Sequence, residues 1–412
     1  MSDYNGQNGW PLVALDDLCE RKIAVRDLRA RPDEAFVYVD ISSVDNKRKQ
    51  IVNAQRLLGR DASSRARQII LERDVLVATT RPNLNAVAIV PQEFHNQIAS
   101  TGFCVLRPSN KLDPEYLFSF VQSWDFVRRL SDLVKGALYP AVTERQVRAQ
   151  KIPLPPLDEQ RRIAARLREQ LSILAKARSA LEAQLTAAES LPAAHLRAVF
   201  ESEEAKQWPR RRIEDFAETG SGTTPPRGNR EYYGGKIPWV KTGELKDGVI
   251  EDTEEHISEA ALRDLSLKLF PEKTLLIAMY GQGQTRGRTG LLGVPATTNQ
   301  ACFAILPNRN FDSQFMQFWF QFSYERLRRE TEGRGGNQPN LNGVILNRLS
   351  APLPPAEGQN AITAKLDAAL TMTAEMQRAL RSKLSELEKL PATLLRAAFS
   401  LAGEGDLESF RG

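Results

Sequence analysis

Cysteine and histidine are scarce in this 412-residue sequence, with three of each. Cys19, Cys104 and Cys302 are far apart, odd in number and without a CxxC pair. That excludes a disulfide framework or a thiolate zinc cage and leaves reduced core thiols as the expectation. His95, His195 and His256 show no HExxH or HxH spacing, which removes a histidine metal site and most histidine-based acid/base schemes. No run approaches the roughly 18 uncharged apolar residues of a membrane span. The start, Met1-Ser-Asp-Tyr-Asn-Gly-Gln, has neither a basic nor an apolar leader region, so a cytoplasmic chain without membrane contact is expected.

Catalytic signatures are missing as well. Gly281-x-Gly283 meets Arg286 where GxGxxG needs its third glycine, and no Walker-type phosphate loop occurs. Thr224-Pro-Pro-Arg227 is not the Asn/Asp-Pro-Pro-aromatic tetrapeptide of an amino-methyltransferase. Pro32-Asp33 followed by Asp45-Asn-Lys47 is the short pattern of a metal-dependent nuclease, so a stand-alone nuclease using Asp33, Asp45 and Lys47 stands as an alternative. What remains is an ordinary globular composition, 42% apolar and 26% charged, with a net charge of +5 that permits nucleic-acid binding without demanding it.

The strongest positive signal is internal repetition. Residues 153–200 align without a gap to 352–399 at an offset of 199. Pro153-Leu-Pro-Pro156 falls on Pro352-Leu-Pro-Pro355, Gln160 on Gln359, and Leu196-Arg-Ala-Val-Phe200 on Leu395-Arg-Ala-Ala-Phe399. The preceding stretches match faintly: Trp10-Pro11 resembles Trp208-Pro209, and Pro108 and Asp113 fall on Pro307 and Asp312. Four blocks follow: a diverged domain over 1–152, a Pro-rich leader and long helix over 153–207, a second diverged domain over 208–351, and a second leader and helix over 352–412.

Ile163, Leu167, Leu171, Leu174, Leu181 and Leu185 alternate steps of three and four as a coiled-coil seam does, and Ile362, Leu366, Leu370, Leu380, Leu384 and Leu387 form its duplicate. A helix of about 33 residues is roughly 50 Å long, too long to bury such a seam in one compact domain, so its expected partner is its own copy, antiparallel about a pseudo-two-fold axis. Pro192 and Pro391 are expected to break or kink each helix before a short last turn. Arg178 and Gln377 interrupt the two seams at the same phase; an exposed edge position is expected for both, with a buried polar register pair as the alternative.

The diverged domains mix β-like runs, Phe36–Ile41, Val75–Thr79 and Thr274–Ala278, with amphipathic stretches, Tyr116–Val121 and Phe315–Phe320, and read as irregular α/β. In the first, Lys47, Arg48, Lys49, Arg56, Arg60, Arg65 and Arg67 face a single acid, Asp61, an apparent phosphate-facing patch. In the second, Arg227 and Arg230 flank Tyr232-Tyr233, and the loop 281–288 carries Gln282, Gln284, Arg286 and Arg288 among glycines. Gln and Arg can read adenine and guanine edges in bidentate fashion, and Gly lets a backbone come close.

These residues resemble the DNA-specificity subunit of type I restriction-modification systems over essentially the whole chain. The leader with Asp158-Glu-Gln160, repeated as Pro354-Pro-Ala-Glu-Gly-Gln359, is similar to that family's two conserved regions. Thr224-Pro-Pro, Tyr232-Tyr-Gly-Gly235, Ile237-Pro-Trp-Val-Lys-Thr-Gly243, Ile277-Ala-Met-Tyr-Gly281, Ala296-Thr-Thr-Asn-Gln-Ala-Cys302 and Gly335-Gly-Asn-Gln-Pro-Asn340 resemble a recurrent target-recognition pattern. The first domain offers Tyr139-Pro-Ala-Val-Thr143 where the second has Gln338-Pro-Asn-Leu-Asn342.

The resemblance implies two target-recognition domains that each read half of a bipartite, asymmetric DNA site. The paired helices would act as ruler and as docking surface for two modification subunits, which carry S-adenosylmethionine and methylate adenine N6. Restriction subunits using Mg²⁺ and ATP would join them. The chain itself would be non-catalytic, with no cofactor or metal of its own. A coiled-coil DNA-binding scaffold of another defence complex is the further alternative. Arg81, Tyr139, Lys241, Tyr280, Arg334, Asn337, Gln338 and Asn340 complete the expected DNA contacts, and charge reversal at Arg286 or Arg288 is expected to alter only the second half-site.

Overall fold

The computed structural model describes residues 10–136, 138–281, 284–332 and 341–399. They form a mixed α/β chain of two compact units, one holding the described residues of Met1–Glu182 and Ser382–Gly412, the other Ala183–Arg381. The division crosses both long helices instead of following the sequence blocks, so each unit is a strand-rich domain with portions of two helices.

In the first unit the short α1 (Leu15–Leu18) precedes a three-stranded antiparallel sheet in the order Phe103–Leu106, Val75–Ala78, Val87–Ile89. The first two strands are apolar and buried throughout, as strands covered on both faces must be. Val75 and Val77 face a cluster with Tyr116 and Phe120, while Leu76 and Ala78 face one with Val39 and Ile70. A second, mixed sheet runs Gln55–Leu58, Ala35–Val39, Gln97–Ser100, Ala66–Ile70. Helix α2 (Pro114–Val121) starts where Asp113 accepts from the amides of Glu115 and Tyr116, with Pro114 in its first turn. Ser123 caps a new helix, α3 (Trp124–Asp132), and Thr143 caps α4 (Glu144–Arg148) through a capping box. The 44-residue α5 (Leu157–Phe200) begins with Asp158 and Glu159 at the positive end of its dipole.

After its part of α5, the second unit contains the short helices α6 (Glu203–Gln207) and α7 (Glu259–Asp264). Its five-stranded sheet runs Thr219–Ser221, Cys302–Ile305, Leu275–Ala278, Thr289–Leu292, Val249–Ile250, the middle three strands repeating the first unit's antiparallel trio. A single helix, α8 (Ser313–Glu332), covers the stretch that α2 and α3 share in the first unit. Phe322 stands where Ser123 would begin a new helix, and it stacks on Phe200 at 5.3 Å. Asn342 caps α9 (Gly343–Asn347), and α10 (Ala356–Leu387) follows.

Each unit locks its long helix to its domain through the same glutamine. The Asp113 amide donates to Gln160 Oε1 (2.8 Å), and Gln160 Nε2 donates to the carbonyls of Lys111 and Pro155. In the second unit the Asp312 amide donates to Gln359 Oε1 (2.8 Å), and Gln359 Nε2 donates to Pro354. Both glutamines are buried, so these bonds are made away from water.

The far ends of the helices close the two cores. In the second unit Leu196 and Phe200 pack with Leu366, Ile362 and Leu370 against Phe318 and Phe322. In the first, α11 (Leu390–Phe399) brings Leu395 and Phe399 against Leu167, Ile163 and Leu171, with Phe399 5.1 Å from Tyr116. Of the other seam residues, Leu380 is buried, and Leu174, Leu181, Leu185, Leu384 and Leu387 are half-buried.

The expectation at the prolines needs a correction. Helix α5 continues unbroken through Pro192, whereas the second copy stops at Leu387 and restarts as α11, with Pro391 in its first turn. Pro192 has no N–H for the Ala188 carbonyl, but Gln377 Nε2 donates to that oxygen at 2.9 Å, so the helix loses no acceptor partner. Gln377 is thus half-buried and bonded rather than at an exposed edge, and it does not pair with Arg178. Arg178 instead binds Glu182 at 2.8 Å and Glu388 at 3.6 Å.

The three cysteines are buried free thiols, and burial pushes Cys19 up to about 12. No helix among the described residues is long and apolar enough to cross a membrane.

Candidate nucleic-acid interface

In both units the loop after the central strand of the trio lies beside a segment distant in sequence. Val142 N donates to Thr79 O (2.8 Å) and Arg81 N to Pro140 O (2.8 Å), which ties loop 79–86 to the segment 138–143. Leu341 N donates to Met279 O (3.0 Å), so the loop from 279 onward meets the chain entering α9 in the same way. Loops on a rigid sheet, joined in pairs, are where a binding protein can vary recognition without disturbing its core.

The first unit divides its cations. Lys47 and Arg48 sit exposed at the tip of the hairpin Val44–Asp45/Gln50–Ile51, whose turn Asp45 closes by accepting from their amides. That tip touches loop 79–86, because Asn46 Nδ2 donates to Leu84 O (3.3 Å) and Lys49 Nζ donates to Asn85 O. Exposed Arg81 lies in this loop in the left-handed region (φ 49), and Tyr139, 84% exposed, lies in the joined segment. The structure therefore gathers Lys47, Arg48, Arg81 and Tyr139 around one loop. Lys49 does not join them as a free cation: it is half-buried, its ammonium turned onto the Asn85 carbonyl, and burial drives it down to about 8.

The rest of the basic run lies on the second sheet. Arg56 and Arg67 are on its two edge strands, Arg65 precedes one of them, and all three are exposed with no ion-pair partner among the described residues. Arg60 pairs with Asp33 at 3.2 Å. With Asp33 so engaged and Asp45 closing its own turn, the two acids of the nuclease pattern serve separate local structures. Among the described residues no group of three His, Cys, Asp or Glu could hold a metal ion.

In the second unit the cations are mostly paired. Arg227 binds Glu255 at 2.6 Å and lies over the rings of Tyr233 (4.9 Å) and Trp239 (5.1 Å). Lys241 binds Glu255 (2.9 Å) and Glu254 (3.1 Å). The hydrogen bond from Arg227, then that from Lys241, holds the Glu255 carboxyl at about 2. Arg230 is exposed and Tyr232 half-buried. The motifs 224–226, 232–240 and 296–302 converge around buried Trp239, whose Nε1 donates to Thr223 O (3.2 Å). Gly222 is required there, since a Cβ would meet Thr298 O at 1.8 Å. These stretches are scaffold more than reader.

Loop 281–288 also differs from expectation. Arg286 is buried, 7% exposed, and Arg288 is bound to Asp247 and lies over the Tyr324 ring at 5.3 Å. Both arginines are turned toward the domain rather than held out from it. Tyr280, 36% exposed, and exposed Gln284 face outward. Gln282, Arg334, Asn337, Gln338 and Asn340 lie outside the described residues. Sequence reasoning missed Tyr324, Arg328 and Asp247; the four-residue spacing of Tyr324 and Arg328 on an aromatic-rich helix was the available signal.

Fold and site together define a duplicated α/β binding protein, with one scaffold carrying two different loop sets. Residues 7–186 and 205–386 match the family described as type I restriction modification DNA specificity domain, and the chain belongs to that family. It is 21% identical to the HindI specificity subunit of Haemophilus influenzae in a match covering 84% of this chain and 90% of that protein. It is 29% identical to the MjaIX specificity subunit of Methanocaldococcus jannaschii over 167 residues, a match covering 39% of this chain and only 37% of that protein. The crystal structure of the HsdS subunit from Thermoanaerobacter tengcongensis superposes with a TM-score of 0.71 at 29% identity, covering 96% of this chain and 98% of that one.

Proposed function

We propose that this specificity subunit reads a bipartite, asymmetric site in double-stranded DNA, one half with residues 1–152 and the other with 208–351. The helical regions 153–207 and 352–412 set the spacing and dock two modification subunits. Those partners carry S-adenosylmethionine and methylate adenine N6, and restriction subunits using Mg²⁺ and ATP join through them. The chain works in the cytoplasm and contributes no reacting group or cofactor.

The observation that carries this reading is the repeated lock at Gln160 and Gln359 beneath two unlike loops. Anchoring by the same glutamine serves assembly, and unlike loops serve discrimination between two sequences. The exposed Arg56, Arg65 and Arg67, without ion-pair partners among the described residues, suit phosphate contacts that position the domain on the duplex. An open apolar groove of about 250 Å³ between α5 and α11, lined by Ile173, Leu174, Leu390 and Leu394, supports helix docking.

The test is selection of bound duplexes from a randomised pool, together with mapping of methylated adenines in the host genome. The expected result is a gapped, non-palindromic motif with half-sites about one helical turn, near 10 bp, apart. One continuous or palindromic motif overturns the reading, and so does cleavage or methylation by the purified chain alone.

A further inference from the structure

Residues 284–288 are held by a side chain that no sequence motif singles out. Tyr324, on α8, donates its hydroxyl to the Gln284 carbonyl at 2.7 Å. Two guanidinium groups lie over its ring, Arg288 at 5.3 Å and Arg328 at 5.4 Å. Arg328 Nη1 donates to Tyr324 Oη (3.3 Å) and to the Arg286 carbonyl (3.4 Å), so α8 grips the loop backbone at two points, 284 and 286. Between them and Arg288, Gly287 turns with φ 85 against the Tyr324 ring, where a Cβ would sit 3.3 Å from Cδ2. Asp247 completes the clamp by binding Arg288 and accepting from Thr289 N and Oγ1 at 2.9 Å.

Arg286 is buried and Arg288 is bound to Asp247, while the exposed Gln284 amide is itself oriented, its Oε1 accepting from Arg288 Nη2 at 3.3 Å. A glutamine can discriminate adenine from other bases only if its amide is held in the base-pair plane, which a loose glycine-rich loop cannot do. We infer that Tyr324 is a specificity-positioning residue: it fixes the loop so that Gln284 meets a base edge in the second half-site. The first domain uses a different device at the same place. Asp125 stands at the position equivalent to Tyr324, and loop 79–86 is held by Asn46 and Lys49 of the hairpin instead.

The inference rests on the DNA-reading function proposed above. The experiment is duplex selection from a randomised pool by the full-length chain, comparing wild type with Tyr324→Phe, Tyr324→Leu and Gln284→Ala, each checked for an unchanged melting temperature. Gln284→Ala identifies the half-site that belongs to the second domain. Tyr324→Leu is expected to lower base discrimination about tenfold at the same positions and to leave the other half-site's motif intact. Tyr324→Phe keeps the ring beside the guanidinium groups but loses the hydroxyl's bonds to the Gln284 carbonyl and Arg328, and is expected to lower it about threefold. If the leucine variant does not fold, the phenylalanine variant decides. A wild-type gapped motif that Tyr324→Phe leaves unchanged, or weakens equally in both halves, overturns the inference alone. A wild-type chain that selects no gapped motif overturns the underlying reading and the inference with it.

Discussion

The first long helix passes through Pro192 without interruption, while its duplicate stops at Leu387, four residues before Pro391, and begins again as a separate helix. Both copies carry the same proline at the same place. The difference lies in the partner opposite: Gln377 gives the orphaned Ala188 carbonyl a donor, and Arg178, its counterpart, is committed to Glu182 and Glu388. The continuous copy thus has a donor for the carbonyl that its proline orphans, while the counterpart of that donor is bound elsewhere. The recognition domains teach the same lesson, since a common three-stranded core supports one loop latched by lysine and another latched by tyrosine.

The comparison breaks most sharply where the helix ends plug the cores. Phe399 is 1% exposed against Tyr116 and Phe120, while Phe200, its repeat, is half-buried against Phe315 and Phe322. Phe399→Ala is expected to cost about 4 kcal/mol and Phe200→Ala about 2 kcal/mol, read by urea unfolding. Equal costs would mean that the two plugs are packed alike.

The glutamine locks come next. Gln160→Ala leaves the buried Asp113 amide and two carbonyls without their partner, and Gln359→Ala leaves one amide and one carbonyl. At roughly 1 kcal/mol for each lost group, the first should destabilise by about 3 kcal/mol and the second by about 2 kcal/mol. A cost below about 0.5 kcal/mol for both would show that water replaces the amide and that the repeat is not a structural lock.

Much of this architecture was legible in the sequence because it is periodic or duplicated. The seams from Ile163 and Ile362, the strands at Val75 and Leu275 and the helices at Tyr116 and Phe315 each repeat a pattern that the backbone imposes. What stayed illegible depends on who faces whom. Nothing in the position of Arg288 tells that Asp247 and Tyr324, distant along the chain, will turn it inward, or that Arg286 two residues before it will be buried. Nor does a proline in a heptad announce that a glutamine nearly two hundred residues away accommodates it. Charge counting likewise registered seven cations in 47–67 but not that Lys49 is spent on a carbonyl.

The proline comparison is sharpened by exchanging the partners. Gln377→Leu removes the donor to Ala188 O and is expected to cost about 1 kcal/mol, with faster amide exchange around Pro192. Arg178→Leu breaks only exposed ion pairs and is expected to cost less than about 0.5 kcal/mol. If the two substitutions prove equivalent, the donor is not what keeps α5 continuous.

The smallest effect, and the one that separates the domains most cleanly, is their response to pH. Glu255 is held at about 2 against an ordinary 4.5, by Arg227 and then Lys241. A carboxyl lowered by folding contributes stability that is complete above its unfolded value and is lost as the pH falls from about 4.5 toward 2. Lys49 is lowered from 10.5 to about 8, chiefly by burial. Here the folded state binds fewer protons than the unfolded chain between about 8 and 10.5, so stability rises with pH across that window. Acid should therefore weaken the second domain, and alkali should firm the first until other groups titrate. Melting curves of Glu255→Gln and Lys49→Met, each against wild type, read the two limbs separately. Glu255→Gln should flatten only the acid limb and Lys49→Met only the alkaline rise; a single substitution that changes both limbs would show that the two groups do not titrate independently in their separate domains.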